Sequence, residues 1–279
     1  MSKWAKLLKV SRSGYYDWLL KKKDIALKEQ GYKEKIETIF NDSGGTYGPE
    51  RICGVLRKGG EKASYRKVSR YMAQMCMFSI HNRHRSRSLT DSRKARDDSY
   101  KNLIGGNNYH FPYQAICSDI SYIKTGEGFL YLCIVKDIVT GEILGQATSA
   151  NMKKELVVKA FLNAQARHPI GCDTVFHSDR GSQYTSKEFM AILESYGIKQ
   201  SFSRVGVPGD NTWAESFFAT FKKEHVHFNH FSTREAAAVA TFAWIESFYN
   251  NKRVQKRLGY VSPSVFRKHL HIHNLKSVA

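Results

Sequence analysis

The sequence contains no long hydrophobic segment. Its longest uninterrupted apolar run, residues 129–135, is far shorter than the ~20 apolar residues that a membrane-spanning helix needs. The first ten residues carry a lysine at every third position and lack the apolar stretch, followed by small residues, that a secretory signal has. We therefore expect a cytoplasmic protein with no membrane partner.

Paired cysteines are also lacking. The five cysteines are odd in number, widely scattered and free of any C-x-x-C pair, which argues against a disulfide framework and a thiolate zinc site. Histidines cluster at positions 225–230 and 269–273, but no closely placed cysteine or carboxylate completes a zinc ligand set. We expect these histidines to face solvent or phosphate, and the cysteines to be small buried residues. The cysteines are Cys53, Cys76, Cys117, Cys133 and Cys172.

Acidic residues are scarce relative to basic ones, and the imbalance is uneven along the chain. The 44 Lys and Arg against 25 Asp and Glu give a net charge of +19. Residues 1–100 hold 23 basic and 11 acidic side chains, residues 101–250 hold 14 of each, and residues 251–279 hold 7 basic and none acidic. Two basic ends around a neutral middle favour a polyanionic partner, because basic side chains release counterions from phosphates. Solubility alone is the competing explanation.

The first 80 residues are predicted to form a small all-α, helix-turn-helix-like module. Apolar residues at helical spacing indicate short amphipathic helices on either side of residues 11–14, after Pro49, and after the candidate N-cap Ser64. Glycine pairs at 44–45 and 59–60 supply the tight links that such a module needs.

A basic linker is predicted between residues 81 and 110. Its first part is rich in arginine and almost devoid of apolar residues, which prevents a packed core. We expect this part to lie along phosphates, although a solvated spacer without contacts explains the composition equally well. The arginines that carry the expectation are Arg83, Arg85 and Arg87.

Residues 111–250 show the pattern of a mixed α/β sheet. Three runs rich in β-branched and aromatic residues predict an antiparallel meander at 115–123, 128–138 and 142–148. Helix and strand then alternate, and capping boxes at Thr185 and Ser232 are predicted to begin two of the helices. Three strands followed by this alternation predict a mixed sheet with flanking helices. A basic C-terminal tail, residues 251–279, follows.

Three acidic residues in the neutral middle are difficult to explain structurally. Asp119 lies inside the first predicted strand, where aspartate is disfavoured. Asp179 follows a short strand, where open α/β sheets place their sites, although a turn aspartate before glycine explains it as well. Glu215 comes early in a helix, where Thr212 offers a competing capping-box explanation. Carboxylates from separate elements suit hard cations such as Mg²⁺, but 25 acidic residues allow many such triples.

Several ordered motifs give the chain a specific resemblance. Asp179 and Glu215 are separated by 35 residues, and Lys222 follows seven positions later. Other motifs that carry the resemblance surround Asp119 and lie near both ends of the chain. They are Tyr47-Gly48 with Arg51-Ile52, Tyr249-Asn250 with Arg253, and residues 258–263. In these features the chain resembles bacterial insertion-sequence transposases encoded in two overlapping reading frames, and specifically their second-frame product, often called OrfB.

The resemblance implies an RNase H-like integrase core with a five-stranded mixed sheet. Asp119, Asp179 and Glu215 would be its catalytic residues and would bind two Mg²⁺ or Mn²⁺ ions. The implied reaction is cleavage at the 3′ ends of an element and transfer of those ends into target double-stranded DNA. A homo-oligomer, at least a dimer, is implied on DNA, and the first-frame product is a further candidate partner. Expected DNA contacts are Lys222, Arg180, Gln183, Tyr184, Arg204, Arg51, Arg253 and the three linker arginines.

Two other functions remain open from the sequence. A non-catalytic DNA-binding protein that regulates transposition would need the basic residues but not the carboxylates. A nonspecific RNase H-like nuclease would cut DNA without joining it.

Overall fold

The computed structural model describes residues 11–80, 100–105, 108–204 and 208–278. The chain divides into two compact units, Met1–Ile80 and His81–Ala279. None of the described helices is long and apolar enough to cross a membrane. The predicted arginine contacts at positions 83, 85 and 87 lie outside the described residues.

In residues 11–80, the described part of the first unit, there are three helices, α1 (Arg12–Asp42), α2 (Pro49–Lys58) and α3 (Tyr65–Gln74). The predicted break at residues 11–14 is confirmed at Ser11, whose extended backbone and hydroxyl cap the start of a 31-residue helix, but residues 12–14 belong to the first turn of that helix. The predicted links and starts of α2 and α3 are confirmed: Gly44, Gly45 and Gly60 have positive φ, Pro49 opens α2, and Ser64 caps α3. The unit's core includes Tyr32, Ile36, Ile52, Leu56, Val68, Tyr71 and Met72.

The second unit is built on a five-stranded sheet in the order β3-β2-β1-β4-β5. The strands are β1 (Ala115–Thr125), β2 (Gly128–Asp137), β3 (Ile143–Ser149), β4 (Val175–Ser178) and β5 (Lys199–Phe202). The first three pair antiparallel, as predicted, whereas β4 pairs parallel to β1 and β5 pairs parallel to β4.

Helices cover both faces of this sheet. Helices α4 (Lys154–Gln165) and α5 (Lys187–Ser195) lie on one face, and α6 (Thr212–Glu224) and α7 (Arg234–Ala243) lie on the other. A π-helical turn, Trp244–Tyr249, and a last helix, α8 (Pro263–Val278), complete the unit. Alternate residues of β1 face opposite cores, because side chains alternate along a strand.

Two predicted capping boxes are displaced by one residue. Ser186, not Thr185, accepts a hydrogen bond from the amide of Phe189 and caps α5. The Thr185 hydroxyl instead donates to the carbonyl oxygen of Gly181, 3.3 Å away. Thr233 rather than Ser232 caps α7 by accepting from the amide of Ala236.

The basic C-terminal segment packs on the sheet instead of extending as a tail. The Asn250 side chain accepts from the Ile143 amide and donates to the Ile143 carbonyl, each at 2.9 Å. Arg267 forms an ion pair with Glu142, and Arg257 donates to the Val139 carbonyl. These basic groups therefore hold the protein's own structure together.

The expectation that all cysteines are buried is wrong for two of them. Cys53, Cys117 and Cys133 are buried, as expected, but Cys76 and Cys172 are exposed. Cys76 has φ of 54° and lies in the turn that follows α3, which places it at the surface.

His225 is buried, contrary to the expectation that it faces solvent or phosphate. It is 7% exposed and packs against the rings of Phe221, Phe231 and Trp244. Burial in this aromatic cluster lowers the pKa of His225 to about 4. The imidazole is therefore neutral in the folded protein at physiological pH.

Stability is expected to fall as the pH drops from 7 to 5. Below about pH 6.5 the unfolded chain binds a proton at His225 that the folded protein excludes until about pH 4, so acid favours unfolding. We expect a loss on the order of 1 kcal/mol from this group after allowance for solvent screening. Thermal unfolding should show a smaller pH slope in His225→Phe, while the exposed control His227→Phe should keep the wild-type slope. Equal slopes in all three proteins would contradict the assignment.

Candidate active site

Asp119 lies in the middle of the sheet, on the face covered by α6. It follows Ala115 and Cys117 at alternate positions of β1, and both of those residues belong to the core under α6. One carboxylate oxygen, Oδ1, accepts a hydrogen bond from the Ile120 amide at 2.8 Å. The strand therefore presents a carboxyl group, rather than an apolar side chain, toward the start of α6.

Asp179 follows the carboxyl end of β4, next to β1. The last paired residues of these parallel strands are Cys117 and His177, and both aspartates lie two positions beyond that pair. Neighbouring strands are separated by about 4.8 Å, so the register brings Asp179 to the level of Asp119. Its Oδ1 accepts from the Gly181 amide at 2.9 Å, which shows that the turn role considered from the sequence is also real.

Glu215 lies in the first turn of α6, which two hydrogen bonds fix to the sheet. The Asn211 side-chain amide donates to the Ser118 carbonyl at 3.2 Å. The buried Lys136 ammonium on β2 donates to the Trp213 carbonyl at 2.6 Å. Asn211 is tied to the residue directly before Asp119, so the start of α6 is held beside that carboxyl group.

The capping-box explanation for Glu215 is wrong. Asn211 is the N-cap residue of α6, and its side chain makes no capping hydrogen bond. The Thr212 hydroxyl donates backward to the Gly209 carbonyl. The exposed Glu215 carboxylate therefore has no role in starting the helix and is available for other chemistry.

The charges of Asp179 and Glu215 act on the Asp119 carboxyl group. Burial raises the pKa of Asp119 to about 7, with further increases from the charges of Asp179 and Glu215. The Ile120 amide and the Lys222 ammonium act in the opposite direction. Burial also raises the pKa of Asp179 and of Glu215. For Asp119, this is the behaviour expected when carboxylates lie close together without a compensating cation.

The donor chemistry of these groups fits a divalent cation, but their side chains do not form a closed ligand set. Hard carboxylate oxygens are the ligands that Mg²⁺ prefers, and a bound cation would relieve their mutual repulsion. Among the residues that the structure describes, no three His, Cys, Asp or Glu side chains are arranged to hold a metal ion. The prediction that Asp119, Asp179 and Glu215 bind metal therefore stays a prediction.

Lys222 lies at the edge of the carboxylate group. It follows Glu215 by two helical turns, and its ammonium lies 5.2 Å from the centre of the Tyr122 ring. Its charge lowers the pKa of Asp119. The ammonium group therefore lies near both the Tyr122 ring and the Asp119 carboxyl group. A half-buried cation in this position suits contact with a phosphate close to the carboxylates.

Arg180 and Gln183 bind the protein's own backbone. The Arg180 guanidinium donates to the carbonyls of Ser203 and Tyr100, and the Gln183 amide donates to the Met152 carbonyl. These bonds position the loop after Asp179. The predicted DNA contacts of Arg180 and Gln183 stay predictions.

Arg204, just after β5, forms an ion pair with Asp210, just before α6. Its guanidinium forms two hydrogen bonds with Asp210, whose side chain also accepts from Asn102. The Arg204 guanidinium is the largest cause that lowers the pKa of Asp210, to about 2. The exposed Arg204 guanidinium therefore binds Asp210, which lies just before α6, and its predicted DNA contact stays a prediction.

Arg51 lies in the first unit, on α2. It is half-buried, and its guanidinium lies 5.6 Å from the centre of the Tyr47 ring. Its predicted DNA contact also stays a prediction.

The prediction that Tyr184 contacts DNA is wrong. Tyr184 is 1% exposed, and its hydroxyl is hydrogen-bonded to the Ser118 hydroxyl at 2.8 Å. Its ring packs among Phe176 and Phe189 in the core under α5. Tyr184 thus anchors the loop after Asp179 to β1 at the residue next to Asp119.

The prediction that Arg253 contacts DNA is wrong as well. Arg253 is 4% exposed and forms a bidentate ion pair with Glu224, at 2.6 and 2.7 Å. This pair ties the end of α6 to the C-terminal segment, and it leaves the guanidinium no open path to a phosphate.

Sequence reasoning missed several residues that position the site. Lys136 interrupts an apolar strand, and that interruption was a usable signal for a buried cation with a specific acceptor. His177 is fully buried between the hydroxyls of Ser201 and Ser203, and burial lowers its pKa to about 4. Asn211 gave no signal beyond its place before a helix.

Removing the Tyr184 hydroxyl is expected to weaken the fold and not the binding of DNA. Tyr184→Phe leaves the buried Ser118 hydroxyl without its closest partner, at a cost of about 1–3 kcal/mol. Denaturant unfolding should show this loss, while affinity for duplex DNA stays at the wild-type value. Reduced affinity with unchanged stability would restore the original prediction.

Comparison with known proteins agrees with this architecture. Residues 110–208 and 215–270 match models described as integrase core domain, and residues 26–85 match an HTH-like domain. The chain is 35% identical over 240 residues to the transposase for insertion sequence element IS904 of Lactococcus lactis, covering 85% of this chain and 93% of that protein. It is 30% identical over 274 residues to transposase InsF for IS3A of Escherichia coli, covering 94% and 91%.

A solved structure with a similar fold is the catalytic core domain of HTLV-2 integrase in complex with magnesium. It is 16% identical, covers 56% of this chain and 97% of that one, and has a TM-score of 0.42. The membership of the chain follows from the transposase relatives, which match along nearly its whole length, and from the core model that spans β1 to β5. The chain belongs to the insertion-sequence transposases, with an integrase core domain preceded by an HTH-like domain.

Proposed function

We propose that this transposase cuts the 3′ ends of its element and joins them to target DNA, with Asp119, Asp179 and Glu215 as the catalytic residues. One observation carries the proposal: the charges of Asp179, at the end of β4, and of Glu215, at the start of α6, both raise the pKa of the buried Asp119 carboxyl group on β1, so the three groups lie close together. Carboxylates kept together at such a cost commonly serve chemistry.

The same three residues would hold two Mg²⁺ or Mn²⁺ ions. When bound, such ions supply an activated water or 3′-hydroxyl and stabilise the departing 3′-oxygen of the phosphodiester. Asp119 and Asp179 would bind from the rigid sheet, and Glu215 from a helix whose start Asn211 and Lys136 hold in place. Lys222 would hold a phosphate next to the carboxylates.

The DNA-binding role extends to the rest of the chain. We propose that the HTH-like domain and exposed basic side chains bind double-stranded element ends and target DNA. Two ends must be brought together before joining, so at least a dimer is proposed on DNA. The first-frame product is a further proposed partner.

The test is a cutting and joining assay on DNA that carries the element's ends. Wild-type protein and Asp179→Asn are incubated with this DNA in Mg²⁺, in Mn²⁺ and in EDTA, and DNA binding is measured in parallel. We expect wild type to give joined product in either metal, and Asp179→Asn to bind DNA normally without cutting or joining.

The other outcomes identify the alternatives. Binding without cutting in any divalent metal would indicate a DNA-binding regulator. Cutting without joining would indicate a nonspecific nuclease. Equal activity of Asp179→Asn and wild type would contradict the assigned site.

A further inference from the structure

The end of the β1–β2 hairpin exposes two aromatic rings that the proposed reaction does not use. Tyr122 is 41% exposed and Phe129 is 47% exposed. Their rings meet edge to face, with centres 5.0 Å apart. Two large exposed rings in contact form an apolar patch, and such patches commonly mark a binding surface.

This aromatic pair is linked to the carboxylates around an open edge of the sheet. The pairing of β1 with β4 ends at Cys117, and the next described backbone pairing on that side of β1 is the isolated bridge between Thr125 and Phe231, so the edge is open from Asp119 to Lys124. Lys222 reaches across this edge: its ammonium lies 5.2 Å from the Tyr122 ring centre, and its charge lowers the pKa of Asp119. Tyr122 is three residues from Asp119, about 10 Å along the strand, and lies on the opposite face of the sheet, so DNA bound at both would pass around the open edge beside Lys222.

The hairpin that carries the rings is firmly braced. The Gly126 amide donates to the Phe231 carbonyl at 2.9 Å, and the Arg234 guanidinium donates to the Phe129 carbonyl at 3.0 Å. The Glu127 carboxylate accepts from the Arg234 amide at 2.9 Å. A Cβ atom at Gly126 would lie 2.6 Å from the Ser232 carbonyl oxygen, which shows how tightly the tip is packed. The rings therefore stand on a preorganised platform.

We propose that Tyr122 and Phe129 form a stacking site for an unpaired nucleobase that lies about three or more nucleotides from the phosphate being cut. The inference rests on the proposed function, since it places the DNA at the carboxylates. The distance of about 10 Å along β1 from Asp119 to Tyr122 equals about three base steps of 3.4 Å and is the minimum path, because the two residues lie on opposite faces of the sheet. Exposed Lys124 and half-buried Lys222 lie beside the rings and suit a polyanion. A rigid aromatic surface flanked by cations is the usual arrangement for holding single-stranded bases.

The test measures binding without catalysis. The ligands are a 12-nucleotide thymidine strand with one central 2-aminopurine, and a duplex in which that base is paired, both in EDTA. We expect wild type to quench 2-aminopurine fluorescence in the single strand. Tyr122→Ala and Phe129→Leu should bind this strand about fivefold or more weakly and lose the quenching, with little change for the duplex. Tyr122→Phe, which keeps the ring, should behave like wild type.

The control is Phe242→Leu, which removes another ring that is 55% exposed on the same unit. It should leave strand binding and quenching unchanged, and the melting temperatures of all variants are compared to exclude misfolding. Wild-type binding and quenching in Tyr122→Ala and Phe129→Leu would overturn the stacking site. Equal weakening by Phe242→Leu would also overturn it.

Failure of the stacking site and failure of the proposed function give different results. Asp179→Asn should keep the Tyr122-dependent quenching although it does not join DNA. If wild type cuts and joins DNA while quenching is independent of Tyr122, only the stacking site is wrong. If quenching depends on Tyr122 but no protein cuts DNA, the rings bind bases and the catalytic assignment is wrong.

Discussion

Glu215→Gln is expected to abolish joining of DNA while leaving the protein folded. The carboxylate takes no part in capping α6, since Asn211 is the N-cap residue and Thr212 binds Gly209. The substitution keeps the size of the side chain and removes only its charge and one oxygen ligand. Loss of one electrostatic group aimed at the reacting phosphate costs on the order of 10²–10³ in rate, and we expect about 10³ or more here.

The measurement is the initial rate of joined product in Mg²⁺, with the melting temperature and DNA affinity as companions. Glu194→Gln serves as the matched control, because it removes an exposed carboxylate from α5, near the end of that helix. It should retain the wild-type rate. Should Glu215→Gln retain the rate as well, or lose it only in proportion to lost folding, Glu215 is not catalytic.

Removing one partner of the Glu224–Arg253 pair is expected to give the largest loss of stability. Both side chains are almost fully buried and join in a bidentate pair. Glu224→Ala leaves a buried guanidinium without its carboxylate, which typically costs about 3–5 kcal/mol. For a unit of this size the melting temperature should fall by roughly 6–20 °C.

The double variant Glu224→Leu/Arg253→Met distinguishes this cause from simple truncation. It removes both charges and keeps much of the volume, so it should be more stable than Glu224→Ala. As a surface control, Lys199→Ala breaks an exposed pair with Asp173 and should cost less than about 1 kcal/mol. A similar small loss in Glu224→Ala would show that the pair is not structurally important.

The sequence predicted the sheet well because its signals are local. The turns after residues 123 and 140 and the β-branched runs define the three antiparallel strands with errors of one or two residues. Cap positions were less certain, because adjacent residues such as Thr185 and Ser186 compete for one role. That choice depends on which hydroxyl has another partner, as Thr185 has in Gly181.

The candidate carboxylates came from motif resemblance, while the residues that support them required the structure. Asp119 and Asp179 are brought level by the register of β1 and β4, which no single sequence pattern specifies. Tyr184 and Arg253 are bound inside the protein by partners that are distant in the sequence, Ser118 and Glu224. An arginine with an internal carboxylate and one that binds phosphate look identical in a sequence.

The charge distribution acquires a more specific meaning from the structure. The C-terminal segment is basic by composition, yet Arg253, Arg257 and Arg267 all bind groups of the chain itself. The formal charge of this segment therefore overstates the number of basic side chains that are available to bind DNA. In the neutral middle, the charges of Asp179 and Glu215 raise the pKa of Asp119 at the centre of the sheet.

Calorimetric titration of Mn²⁺ into the wild-type protein and its single variants tests the central claim most directly. The account predicts that wild type binds Mn²⁺ at pH 8, where Asp119 is ionised, and that Asp119→Asn, Asp179→Asn and Glu215→Gln each weaken or abolish that binding. Glu194→Gln should bind as wild type does. Identical binding by wild type and all three variants would contradict the claim that these carboxylates form the metal site.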